Sequence, residues 1–168
     1  MMTPVIKPFL YHDIDGILFG EYGPRKAHQL RPGISDWFHW TLARYQIVFL
    51  TSWQHHEVFN LLQDLYLPDV ILHCRFLPWK TARPPLAFKW DAICRDQRQQ
   101  PHPYFWIDDH EQEFPDQAER AQIYGGLPFV RVNPTGEREL LDLMQRLNGR
   151  MTKMQPFLQP PHMVAMPR

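Results

Sequence analysis

A chain of 168 residues with 44% apolar and 21% charged residues is long enough for one domain with its own core and short for two. Its formal net charge is zero, so nothing in bulk electrostatics argues for nucleic acid or a membrane surface, and such a partner would have to meet a local basic patch. No apolar run approaches the roughly 20 residues of a membrane span, the N-terminus lacks a signal-peptide pattern, and Cys74 and Cys94 make neither a disulfide framework nor a metal knuckle. A reduced, cytoplasmic protein without a membrane partner is expected.

In chain order, residues 5–12 read as a buried strand that ends on Asp13 and Asp15, with Gly16 letting the chain turn away. Residues 19–32 are polar and turn-rich (Gly20, Gly23, Pro24, Pro32), a loop or small hairpin that could fold over the two aspartates as a flap. Residues 34–45 carry a helical period on Trp37, Phe38, Leu42 and Tyr45. A second buried strand, 46–50, ends at Thr51-Ser52-Trp53; a helix over 57–66 is expected to stop at Pro68. Val70–His73 reads as a third short strand, followed by a proline-stiffened loop that combines Arg75, Lys80 and Arg83 with Phe76 and Trp79. A helix over 86–95 places Lys89 in its first turn, and a fourth strand over 104–107 ends at Asp108-Asp109. A short helix is expected over 115–124, a fifth strand over 127–132, and a last amphipathic helix over 137–147 closed by Asn148-Gly149. Residues 1–150 are thus read as one domain, and the Met- and Pro-rich tail 151–168 as extended or mobile.

Strands alternating with helices predict an α/β fold of three layers, Rossmann-like, with a mostly parallel five-stranded sheet and helices on both faces. Sites in such folds lie outside the carboxyl ends of the strands. Three strand ends here carry Asp13 and Asp15, Thr51 and Ser52, and Asp108 and Asp109, and Lys89 begins a helix that can reach them. Close carboxylates repel unless a cation lies among them, and oxygen ligands of this kind suit Mg²⁺. One aspartate can attack phosphorus while another handles the leaving group's proton. Each residue alone has a plainer reading: an Asp-Gly turn, a helix cap at Thr51 or Ser52, a solvated lysine. The joint pattern is the specific signal.

That pattern, Asp13-x-Asp15-Gly16, a strand ending in Thr51, then Lys89, then Ile107-Asp108-Asp109, resembles the four motifs of the haloacid dehalogenase-like (HAD) hydrolase superfamily over about residues 5–148. Leu50-Thr51-Ser52-Trp53 and Val132-Asn133-Pro134-Thr135-Gly136 resemble a subgroup of small domains of this type, some associated with RNA-repair proteins. The resemblance implies a Mg²⁺-dependent phosphatase in which Asp13 is the nucleophile and Asp15 the general acid and base. Thr51 would bind the phosphoryl oxygens, with Ser52 competing for that role, and Lys89 would neutralise their charge. Asp13, the main-chain carbonyl of Asp15, and Asp108 or Asp109 would hold the metal. The alternative is a phosphate-binding or regulatory module that does not turn over.

The gaps between these motifs hold no separate cap domain, and capless members of the superfamily often act on large substrates. The basic-aromatic loop with Arg75, Lys80 and Arg83, flanked by Arg25, Lys26 and Arg31 of the flap, suits a nucleotide or the phosphorylated end of a nucleic acid. Trp53 and Trp79 are expected at the rim of the site. Adjacent His55 and His56 point to different sides of a helix and do not read as metal ligands.

Overall fold

Phe9, Leu10, Tyr11 and His12 are all fully buried and form β1 (Phe9–His12). A strand buried on both faces belongs in the middle of a covered parallel sheet. In the computed structural model, which describes residues 7–23, 27–80, 89–109 and 129–158, with side chains through Thr152, β1 does stand at that centre. It is flanked by β4 (Gln46–Phe49) and β6 (Tyr104–Asp108), with β5 (Arg75–Phe76) and β7 (Phe129–Arg131) at the edges. The sheet order is β5-β4-β1-β6-β7, and every pairing is parallel. The α/β architecture is therefore as expected. The flap is an antiparallel hairpin of β2 (Phe19–Tyr22) and β3 (Ala27–Leu30).

The two-residue period of a strand divides the core in two. Leu10 and His12 face a layer built from α1 (Ile34–Arg44), α2 (His55–Asp64), α3 (Pro68–His73) and α5 (Glu139–Leu158), packed through Trp37, Phe38, Val58, Val70, Leu143 and Leu147. Phe9 and Tyr11 face α4 (Lys89–Gln99) through Trp90, Ala92 and Ile93. Polar His12 is accommodated as a neutral ring: Trp37 Nε1 donates to its Nε2 at 2.9 Å, and its Nδ1 bonds the Asp13 carbonyl. Burial pushes its pKa down to about 4.

Four elements differ from the sequence reading. Val70–His73 is part of helix α3, not a strand. Pro68 was expected to end the preceding helix, but it occupies the first turn of a new one, where its fixed φ and missing N–H cost nothing. Helix α2 stops earlier because Tyr66, 90% exposed, adopts φ 55 and lets Leu67 N–H bond the Leu62 carbonyl at 2.9 Å. The third strand of the sheet is consequently Arg75–Phe76, inside the stretch read as a loop. Finally, α5 continues through Asn148 and Gly149 to Leu158, into the segment expected to be extended. The apolar spacing Leu140, Leu143, Met144 and Leu147 reaches Met151, and that stripe holds the helix together across a glycine that costs about 1 kcal/mol relative to alanine. The expected helix 115–124 and residues 159–168 lie outside the described residues.

Candidate active site

The strand register brings two aspartates together. In the β1–β6 ladder Phe9 pairs with Tyr104 and Tyr11 with Trp106, so one further step of two sets Asp13 beside Asp108, both on the α4 side. Helix α4 meets them with its first residue: Lys89 Nζ lies 2.5 Å from Asp13 Oδ2 and 2.7 Å from Asp108 Oδ2. All three residues are at least 95% buried. Asp13 Oδ1 also accepts the Ile14 N–H at 2.7 Å.

Two acids thus compete for one ammonium. Burial pushes the Asp13 carboxyl up to about 6 against the pull of Lys89, and neighbouring Asp108 adds to the rise. Burial also opposes the charge on Lys89, yet the two carboxylates outweigh it and hold the ammonium above its ordinary range. Asp109 joins the group: one oxygen each from Asp13, Asp108 and Asp109 lies within 4.8 Å of the others. Gly16 makes room for it. A Cβ there would come within 2.1 Å of Asp109 Cγ, and φ is +71°, so both the turn and the close approach require glycine. Two carboxylates share the Lys89 ammonium and a third stands beside them, and such a donor set could hold a divalent cation.

Asp15 stands apart from this trio, and its carboxylate has other partners. Trp53 Nε1 donates to Oδ2 at 2.9 Å, and His28 Nε2, from the flap, lies 3.7 Å from Oδ1. The flap is fastened by stacked rings: His28 on Phe19 (centroids 5.0 Å apart, 6° between planes) and Phe19 on Trp53 (5.5 Å, 30°). The hairpin expected to cover the aspartates therefore contacts one of them directly.

Thr51 is buried at the end of β4 and accepts the Trp53 N–H through Oγ1 at 3.3 Å, whereas Ser52 is exposed. Neither caps α2. Gln54 does, in a capping box with Glu57, whose Oε2 accepts the Gln54 N–H at 2.6 Å. Beside them, at the carboxyl ends of β4 and β5, lies a cleft of about 130 Å³ lined by Thr51, Ser52, Trp53, His55, Phe76 and Trp79, with exposed Lys80 among its walls. Trp53 and Trp79, expected at the rim of the site, both line this cleft, Trp79 as a buried residue.

Of the basic residues expected to meet substrate, two of the three that are described have other partners. Arg75 projects from β5 onto the α4 face, donating to Asp96 at 2.5 and 2.6 Å while lying over the Phe9 ring. Tyr11 Oη donates to the same carboxylate at 2.6 Å. The misreading of β5 as a loop is what made Arg75 look available. Burial alone would raise the Asp96 carboxyl, but its bonds to Arg75 and Tyr11 outweigh it and hold the group below its ordinary 3.8. The stabilisation this represents is present above pH 3.8 and lost as pH falls through the lower folded value. Urea unfolding should accordingly show Asp96→Asn well below the wild type at pH 7, with the gap narrowing toward pH 3.

Arg31, read as a substrate-facing cation, is a buried clamp. It donates to the carbonyls of Ile17 (2.8 Å), Gly16 (2.9 Å), Asn133 (2.9 Å), Pro134 (3.0 Å) and Gly136. It thereby ties the loop after β1 to the Asn133-Pro134-Thr135-Gly136 turn after β7. Arg31→Lys keeps the charge but loses the fork, and should cost about 3 kcal/mol in thermal or urea unfolding by leaving buried carbonyls unmatched. Arg83, Arg25 and Lys26 lie outside the described residues, so of the loop cations Lys80 alone is described at the cleft.

Sequence reasoning missed the contacts of Trp53 and His28 with Asp15, and the clamp role of Arg31. The first had a signal: Phe19, Glu21, His28 and Leu30 share one face of the hairpin once its register is known. No protein-family model matches the sequence, and no curated protein matches it either.

Proposed function

We propose that this chain is a Mg²⁺-dependent phosphomonoester hydrolase of the HAD type, working through an aspartyl-phosphate on Asp13. The observation that carries the reading is Lys89 bridging Asp13 and Asp108 beside Asp109, while Asp15 is held outside that cluster by Trp53. A nucleophile needs a cationic environment, and a general acid needs to be kept out of it. The pattern is difficult to explain as scaffolding, because burying two carboxylates on one ammonium is costly.

In this reading a carboxylate oxygen of Asp13 attacks phosphorus, forming an acyl phosphate as the bond to the leaving oxygen breaks. Asp15 donates its proton to that oxygen. It then takes a proton from the water that attacks phosphorus, releasing phosphate and restoring the Asp13 carboxylate. Lys89 steadies Asp13 and offsets the phosphoryl charge, and the Thr51 hydroxyl bonds the phosphoryl oxygens. Asp13, Asp108 and Asp109, with the Asp15 carbonyl, would hold Mg²⁺, which supplies further charge neutralisation when bound. The substrate is a nucleotide or a phosphorylated nucleic-acid end. A reduced cytoplasmic setting belongs to the same proposal, and Cys74 and Cys94 form no disulfide. Among the described residues no helix is long and apolar enough to cross a membrane.

The test is phosphate release from a panel of nucleotides, sugar phosphates, phosphopeptides and phosphorylated oligonucleotides, with Mg²⁺ and with chelator. Release that depends on Mg²⁺ is expected. Mg²⁺-dependent phosphate binding with no hydrolysis of any ester would instead make the chain a non-catalytic module.

A further inference from the structure

The geometry points to the aromatic cleft beside Asp15 as a subsite for the base of a nucleotide substrate, an assignment that rests on the phosphatase reading above. The cleft and the carboxylate site share walls. Trp53 lines the cleft and gives its indole N–H to Asp15, and Trp79 lines it too, with Lys89 Nζ 5.8 Å from its ring centre. A group seated there is a neighbour of the leaving oxygen that Asp15 would protonate.

Size limits the occupant. Sites that enclose a whole small ligand usually run to roughly 300–1,000 Å³, whereas this cleft measures about 130 Å³. It holds a fragment, and the rest of the ligand must extend outward or toward Asp13. The wall chemistry selects a flat ring. Trp53, His55, Phe76 and Trp79 are four ring systems, and the His55 and Phe76 centroids are 4.0 Å apart. Stacking on such surfaces is the general means of holding a base without reading its sequence.

The polar lining separates a base from a plain aryl ring. Exposed Ser52 adds a hydroxyl to the lining. Nucleobases carry ring nitrogens and carbonyls along their edges that can accept from such a donor, and a phenyl ring does not. Lys80 lies 4.9 Å over the Trp79 ring and forms no ion pair among the described residues, so it is available to the next phosphate of a chain.

The test compares kcat/KM for adenosine 5′-monophosphate, ribose 5-phosphate and phenyl phosphate on the Mg²⁺-loaded protein, and titrates adenosine and phenol, each alone, against the intrinsic tryptophan fluorescence. The nucleotide should exceed ribose 5-phosphate by about tenfold or more, in keeping with one stacked base, and adenosine should quench the fluorescence. Trp79→Leu should collapse the ratio of the two rates. If that variant does not fold, exposed His55→Ala should still lower the ratio by about threefold or more. Equal rates on nucleotide and sugar phosphate, with no adenosine quenching, would overturn the subsite and leave the phosphatase reading standing. Quenching by phenol as strong as that by adenosine would overturn it in favour of a plain aryl pocket. Absence of hydrolysis on these three esters and on the wider panel above would instead fail the phosphatase reading, with the adenosine titration still reporting on the cleft.

Discussion

Asp13→Asn should stop phosphate release while leaving the fold as stable as the wild type, or more so. An amide oxygen is too weak a nucleophile to form an acyl phosphate, so the expected loss in kcat is on the order of 10⁴-fold or more, as for removal of other covalent nucleophiles. The stability result follows from the charge arrangement. In the wild type, Asp13 and Asp108 both press on Lys89, and burial has already pushed the Asp13 carboxyl up to about 6. Asparagine removes one of the competing charges and leaves Lys89 and Asp108 as a neutral pair. The cost of burying an unmatched carboxylate disappears, and the change in unfolding free energy should stay within about 1 kcal/mol or be favourable. Inactivity accompanied by a loss of several kcal/mol would mean that Asp13 is chiefly a structural partner of Lys89.

Lys89→Met should have the opposite profile: inactive and markedly unstable. Methionine matches the lysine stem in length and packs against the same neighbours, so the loss isolates the ammonium. Without it, Asp13 and Asp108 lose the ammonium they share, and removal of one partner from a buried pair typically costs about 3–5 kcal/mol. The pH dependence has a definite sign. Protonating the carboxylates relieves the repulsion, and the groups' folded pKa values rise further once Lys89 is gone. Stability relative to the wild type should therefore improve as pH falls from 7 toward 5. Added Mg²⁺ should raise the melting temperature of Lys89→Met more than that of Asp13→Asn, because the first variant keeps all three carboxylates and the second has lost one.

The sheet and the carboxylate cluster were legible because both are written in short-range periodicity. Alternation in Phe9–Asp13 and Tyr104–Asp108 puts the aspartates on the face that Lys89 approaches, and no long-range information is needed once the strands are paired. The basic loop was not legible for a definite reason. A two-residue strand such as Arg75–Phe76 has no period to detect, and Pro68 reads equally as the end of one helix or the start of the next. Moving that strand by a few residues turned Arg75 from a supposed phosphate contact into the partner of Asp96. Arg31 was misassigned because its bonds go to five main-chain carbonyls, three of them from residues about a hundred positions away. Main-chain acceptors carry no residue identity, so nothing in the sequence marks them. The bond of Trp53 to Asp15 depends on how the flap and the β4–α2 turn pack together, which no local pattern in the sequence encodes.

The most direct measurement asks whether residue 13 becomes phosphorylated. The Mg²⁺-loaded protein, mixed with an ester it hydrolyses and quenched with borohydride, should show homoserine at position 13 by peptide mass spectrometry, since acyl phosphates are reduced and free carboxylates are not. The trapped product should be missing from Asp13→Asn and from samples treated with chelator before the ester is added. Hydrolysis that proceeds normally while residue 13 remains an unmodified aspartate under all conditions would contradict covalent catalysis at this site.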